Sequence, residues 1–142
     1  MAILGGALRL MPRPPVSGPP LPIDSFFTSL AADRGSKAIG IILSGSASDG
    51  TLGLKAIKAN GGFTFAQDES AKYDSMPRSA IAAGYVDFVL PPEGIAKELA
   101  RIGRHPYVAP VKPERVVPKS EPVAEDHLAK AFVLLRRLRK IT

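Results

Sequence analysis

Apolar residues run without interruption from Ile39 to Leu43 and give way at once to small polar residues, "SGSASDG", at positions 44–50. A run apolar on both faces is the pattern of a buried parallel strand. The next segment, "GTLGLKAIKANGG", changes period. At about 100° per residue Lys55 and Lys58 fall on one face, with Leu52, Ala56, Ile57 and Ala59 spread over the other, as in a helix. Gly61 and Gly62 end it by offering a left-handed residue. "FTFAQD" then reads as a strand, "MPRSAIAAG" as a short helix with Pro77 near its first turn, "YVDFVLP" as a strand and "EGIAKELARIG" as a helix. Upstream, "IDSFFTSLAADRG" reads as a helix with Asp24 as its N-cap and Gly35 as its stop. Strands alternating with helices predict an α/β fold, part of a doubly wound parallel sheet with flanking helices.

The ends of the chain differ from this centre. "GGALRLM" reads as a strand, and "PRPPVSGPPLP" as an irregular or polyproline-like connection. Pro106, Pro110, Pro113, Pro118 and Pro122 mark residues 105–122 as a linker. Residues 123–142 read as an amphipathic basic helix, with Leu128, Ala131, Leu135 and Leu138 on one face and Arg136, Arg137 and Lys140 on the other. No internal repeat is visible.

Composition narrows the chemistry. A chain of 142 residues holds about one ordinary domain, and 45% hydrophobic with 23% charged residues suits a packed core. No run of eighteen apolar residues predicts a membrane span, and "MAILGGALRL" is a poor signal peptide. The lack of cysteine excludes a disulfide framework, a thiolate zinc site and a cysteine nucleophile. A cytoplasmic setting fits. The net charge of +6 suggests nucleic acid at first, but four basic residues sit in the terminal "LLRRLRK" and the centre is nearly balanced. No specific nucleic-acid partner is expected.

In parallel α/β sheets, sites form at the carboxyl ends of strands, and Asp49 stands at such an end. It can cap the helix that starts near Gly50, bind a metal or phosphate, or orient a catalytic histidine. "GSASDG" has the wrong glycine spacing for a dinucleotide or P-loop fingerprint. No second carboxylate or histidine sits at metal-ligand spacing, and Asp68 in "QDES" reads as a turn residue. For a serine–histidine–aspartate triad, the only histidines are His105, beyond the last helix of the α/β part, and His127, on the terminal helix. No serine stands in a G-x-S-x-G elbow. The residues alone offer a triad acid without its base or nucleophile.

"GIILSGSASDGTLGLKAIKANGGFTFAQDESAKYDSMPRSAIAAGYVDFVLPPEGIAKEL" together with "PIDSFFTSLA" resembles the C-terminal half of the catalytic domain of chemotaxis protein-glutamate methylesterases. The family's T-G-M-G-x-D-G motif stands here as Ser44 to Gly50. Its Q-D…M-P-R-x-A-I segment stands as Gln67-Asp68 and Met76 to Ile81. The resemblance implies hydrolysis of methyl esters on receptor glutamates and deamidation of certain glutamines, by a serine, a histidine and an aspartate, with no cofactor and no metal. The aspartate corresponds to Asp49. Ser46 and Ala47 become oxyanion-loop candidates, and Gln67, Met76 and Pro77 substrate-cleft candidates. Residues 1–104 then read as a partial catalytic domain. The family's serine and histidine lie upstream of the matched part, so the chain alone is expected to be inactive. Two departures fall in the motif. The family's Met is Ser46 and its next Gly is Ala47, which restricts φ where glycine does not.

The implied partners are a methyl-accepting chemoreceptor as protein substrate and a response-regulator receiver domain. The tail "AFVLLRRLRKIT" resembles the opening of a receptor methyltransferase domain fused to such esterases, and fits a generic amphipathic helix as well. The alternative from a different class is a non-catalytic signalling interaction module, with the α/β part as scaffold and the basic helix as its partner-binding element.

Overall fold

The computed structural model describes residues 1–105 other than Pro14 and Val16. Most of the linker expected over 105–122, the terminal helix expected over 123–142, and His127 lie outside the described residues.

The chain opens with a hairpin, not with the single strand expected from "GGALRLM". Strand β1, Ala2–Leu4, pairs antiparallel with β2, Ala7–Arg9. Gly5 and Gly6 form the two-residue turn with φ of +57° and +76°, and a type I′ hairpin turn demands positive φ at both central positions. The carboxylate of Asp33 accepts the N–H groups of both glycines, and Ile3 N–H donates to Ser29 Oγ at 3.0 Å, so the hairpin is tied to the helix that follows.

That helix, α1, spans Pro22–Arg34 and stops at Gly35, whose φ is +53°. Strand β3, Ile39–Ile42, follows; then α2, Thr51–Ala59; β4, Phe63–Gln67; α3, Ser75–Ala82; β5, Phe88–Leu90; and α4, Pro92–Gly103. The strands form one parallel sheet in the order β3-β4-β5, with Ile39 opposite Phe63 and Phe65 opposite Phe88. The expected α/β class with a parallel sheet and flanking helices is what the chain adopts.

Alternation along the strands builds two cores. Ile42 packs with Leu54 and Ile57 of α2, Ala31 of α1 and Ala80 of α3. On the other face Phe65 packs with Ile95 and Ile102 of α4, joined by Ile39, Ile41, Phe63, Phe88 and Leu90. The buried face of α2 differs from the one expected. Gly53, Leu54 and Ile57 are buried, whereas Leu52 is 58% exposed and Ala59 is also exposed. Lys58 turns inward to Asp87, with Nζ 3.2 Å from Oδ1. The Asp87 carboxylate also accepts Thr64 N–H and Oγ1–H at 3.0 and 2.9 Å, tying the approach to β5 onto β4. Strand β5 is shorter than "YVDFVLP", because Tyr85 and Val86 turn into the other core.

Candidate functional site at the carboxyl end of the sheet

Strand β3 ends at Ile42, and residues 43–50 cross the carboxyl edge before α2 begins. Three neighbours shape this loop. Gln67, the last residue of β4 and 8% exposed, accepts Ser44 N–H on Oε1 at 2.8 Å and donates through Nε2 to Ser70 Oγ at 3.1 Å. Tyr73 donates its N–H to Ser44 Oγ at 2.9 Å, and its carbonyl accepts Gly45 N–H at 2.8 Å. Met76 donates its N–H to Gly45 O at 3.1 Å. The loop after β3 is thus laced to the loop that leads into α3.

The loop's crest is exposed at Ser46, Ala47 and Ser48. Ala47 has φ of +69° and is the one non-glycine residue with positive φ among those described. A Cβ in that region costs about 1–2 kcal/mol, so the alanine occupies a conformation that glycine would take without strain. The two oxyanion-loop candidates therefore lie side by side on the exposed crest.

Asp49 follows, 8% exposed. It does not cap α2 as expected. Gly50 holds the N-cap position of that helix with no side-chain cap. Asp49 instead reaches α1: Oδ2 accepts Ile23 N–H at 3.0 Å and Oδ1 accepts Asp24 N–H at 2.9 Å. These amides belong to the first turn of α1, where N–H groups lack intrahelical partners and Pro22 has no N–H. Asp24 is not the N-cap of α1 either. Its Oδ1 accepts Gly53 N–H of α2 at 2.7 Å. Sequence reasoning missed this role, although the isolated glycine inside the α2 pattern is a signal of close approach. A Cβ on Gly53 would lie 2.5 Å from Phe27 Cβ and 3.2 Å from Asp24 Cα.

The remaining expected residues are distributed as follows. Met76 is half-buried, and its sulfur would lie 3.0 Å from a Cβ placed on Gly45. Pro77 is fully buried in the first turns of α3. Asp68 forms the turn expected of it, accepting Ser70 N–H at 3.0 Å. His105 follows α4, which starts just beyond the carboxyl end of β5 and runs back for twelve residues, about 18 Å at helical rise. His105 therefore lies toward the amino edge of the sheet, away from Asp49. Thr51 Oγ1, at the start of α2, is buried with no hydrogen-bond partner among the described residues. No group of three or more histidine, aspartate or glutamate side chains among the described residues could hold a metal ion. Arg101 of α4 is held above its ordinary pKa by its hydrogen bond to Glu98 and then by that residue's charge, away from this edge.

An ionised carboxylate offers about four acceptor positions. Two on Asp49 are taken by backbone amides, which fix the group's orientation without adding charge. Capacity for a third donor, such as an imidazole N–H, remains.

A family model described as CheB methylesterase matches residues 3–99. An uncharacterised 104.1 kDa protein in the hypE 3′ region of Rhodobacter capsulatus is 50% identical over 103 residues, 70% of this chain and 10% of that protein. Protein-glutamate methylesterase/protein-glutamine glutaminase 1 of Carboxydothermus hydrogenoformans is 50% identical over 80 residues, 55% of this chain and 23% of that protein. The second such protein of Burkholderia lata is 48% identical over 96 residues, 65% of this chain and 28% of that protein. The chain spans less than a third of the length of each. Among solved structures, the catalytic domain of the CheB methylesterase of Thermotoga maritima superposes with a TM-score of 0.54 at 38% identity, covering 56% of this chain and 42% of that one.

Proposed function

The chain belongs to the CheB methylesterase family, and we propose that it supplies the aspartate, Asp49, of a serine–histidine–aspartate site that hydrolyses glutamate methyl esters on a chemoreceptor. The observation that carries this reading is the double anchoring of Asp49 at the carboxyl end of β3, by the amides of Ile23 and Asp24 at 3.0 and 2.9 Å. A triad acid accepts the histidine Nδ1–H, sets its tautomer and stabilises the imidazolium that forms as the serine attacks. That work needs an oriented, water-poor carboxylate on a rigid element, and Asp49 is 8% exposed. Ser46 and Ala47 belong to the loop that would offer backbone N–H groups to the oxyanion. In this reading Gln67, Met76 and Pro77 would support that loop and the substrate cleft beside it. Gln67 does so by holding Ser44, and Met76 by packing on Gly45.

The site needs a nucleophile and a base from elsewhere. His105 lies toward the opposite edge of the sheet, and none of the serines at the carboxyl edge stands in an elbow. Among the described residues, then, neither a base nor a nucleophile reaches Asp49, and in this reading hydrolysis requires a segment that brings both groups to it. In this reading the protein works in a cytoplasmic chemotaxis phosphorelay beside a receiver or methyltransferase domain, without a cofactor. No helix among the described residues is long and apolar enough to cross a membrane.

The test is methanol release from methyl-labelled receptor. The purified chain is expected to release none. Release that is abolished by Asp49→Ala and survives loss of His105 and His127 would contradict the missing-base account. If a segment carrying the serine and histidine restores hydrolysis in trans, Asp49→Ala is expected to lower kcat by several orders of magnitude. Unchanged turnover in that variant would remove Asp49 from the reaction.

A further inference from the structure

Asp24 and Asp49 exchange helix ends. Asp49 precedes α2, yet it satisfies the amides of Ile23 and Asp24 in the first turn of α1. Asp24 belongs to α1, yet it satisfies the amide of Gly53 in the first turn of α2, at 2.7 Å. Neither helix has a side-chain cap from its own N-cap residue. Each carboxylate sits at a positive helix end, where negative charge is favoured.

The exchange closes a ring. It runs from Asp24 N–H to the Asp49 carboxylate, along the backbone to Gly53, and from Gly53 N–H back to the Asp24 carboxylate. Asp49 rides on the start of α2, and its partners ride on the start of α1. Its orientation is defined only while the two first turns stay in register. The Asp24–Gly53 bond is a second polar side-chain tie between them, beside Phe27, at a point where the missing Cβ of Gly53 lets the helices touch.

We propose that Asp24 is a positioning residue for Asp49: it holds the carboxylate at the orientation the histidine requires and takes no part in proton transfer. This rests on the reading of Asp49 as the triad acid. Removing the Asp24 carboxylate leaves its backbone N–H in place, so Asp49 keeps both partners chemically and loses only their register. A displacement of about 1 Å at a reacting group can cost up to about 100-fold in rate, so the loss falls on kcat and leaves KM unchanged. Asparagine at this position keeps an oxygen for Gly53 N–H and restores the register.

The experiment is amide hydrogen exchange and NMR on the full chain, with the Asp49 side-chain carboxyl resonance followed directly. Asp24→Ala is expected to raise exchange at residues 23 and 24 at least tenfold over that of the surrounding helix and to move the Asp49 carboxyl signal. Asp24→Asn is expected to hold both near wild type. Ser29→Ala, which removes the α1 hydroxyl that anchors Ile3, is expected to lower stability without moving either. Asp24→Ser, with a shorter acceptor, is expected to lie between alanine and asparagine and serves if the alanine variant does not fold. An alanine or serine variant whose exchange at 23 and 24 rises only in step with the whole helix, with the Asp49 signal unmoved, overturns the proposal. So does failure of asparagine to rescue. Where a complementing segment restores turnover, the kcat loss at constant KM is the further readout. If no complemented wild-type chain hydrolyses the ester, the esterase reading fails, and the exchange measurement still decides whether Asp24 holds Asp49.

Discussion

Gln67 holds Ser44: its Oε1 accepts the Ser44 N–H at 2.8 Å, across the tips of two neighbouring parallel strands. The sheet hydrogen bonds pair Ile42 with Ala66, and the glutamine side chain continues the ladder one step past the strand. It carries the rigidity of β4 into the loop that bears Ser46, Ala47 and Asp49. Its other end is held by Ser70. Gln67→Leu keeps the volume and loses both bonds, at a cost of about 1–3 kcal/mol for the two together. Ser70→Ala is expected to cost about 0.5–1.5 kcal/mol in wild type and close to nothing when Gln67→Leu is already present, as coupled partners do. Urea denaturation of the four proteins in this cycle measures both. Additive losses would show that Gln67 and Ser70 act separately.

The strained crest of the same loop gives the opposite sign. Ala47 sits at φ of +69°, where a Cβ costs about 1–2 kcal/mol. Glycine removes that strain and returns about 0.5–1 kcal/mol to the unfolded chain as entropy. Ala47→Gly is therefore expected to stabilise the chain by about 0.5–1 kcal/mol. The denaturation midpoint should rise with no change in slope. A destabilised glycine variant would mean that the alanine methyl makes a contact worth more than the strain.

These two residues also mark what the sequence could and could not disclose. That Ala47 restricts φ was legible from the resemblance, whose motif has glycine there; the positive φ that the alanine adopts was not. The order of strands and helices was legible from the change of period at Gly50, Gly62 and Gly84. The direction in which Asp49 points was not. Capping rules are local: they assign an aspartate to the helix that follows it, and here two helices far apart in sequence trade aspartates. Nor was the β1–β2 turn read, since Gly5-Gly6 follows too few residues to display an alternating strand. The exposure of Leu52 escaped the periodic reading for a related reason. The close approach of α1 at Gly53 rotates the buried face of α2 onto Gly53, Leu54 and Ile57.

Thr51 offers a single-atom test of this packing. Its Oγ1 is buried and has no partner among the described residues. A desolvated hydroxyl without a hydrogen bond costs about 1–3 kcal/mol. Thr51→Val keeps the branched shape and removes the polar atom, so it is expected to stabilise the chain by about 1 kcal/mol. Thermal denaturation reads this directly. A loss of stability would show that the hydroxyl is satisfied, with the rest of the chain or solvent as its partner.

The last expectation concerns the edge of the sheet. Among the described residues β3 is paired on one side only, by β4. On the face that carries α4, that helix packs on β4 and β5. Ile39 and Ile41 of β3 share this face and are left half-buried, and Leu43 is 48% exposed. Parallel strands are stable when both faces are covered, and an open apolar edge invites another chain. The purified chain is therefore expected to self-associate in a concentration-dependent way and to elute above its 15.0 kDa monomer mass. A charge on that face, Ile41→Lys, should oppose association while weakening the core by about 1–2 kcal/mol, since the half-buried side chain gives up only part of the burial of a full core residue. On the proposed reading, a complementing segment that carries the serine and histidine would cover the same face and pair the same edge, and should give a defined heterodimer with a higher midpoint. Size-exclusion chromatography with and without that segment is the measurement. A monomer that unfolds cooperatively at every concentration and ignores the added segment would mean that β3 needs no further strand, and that the chain is an autonomous module instead of one part of an esterase site.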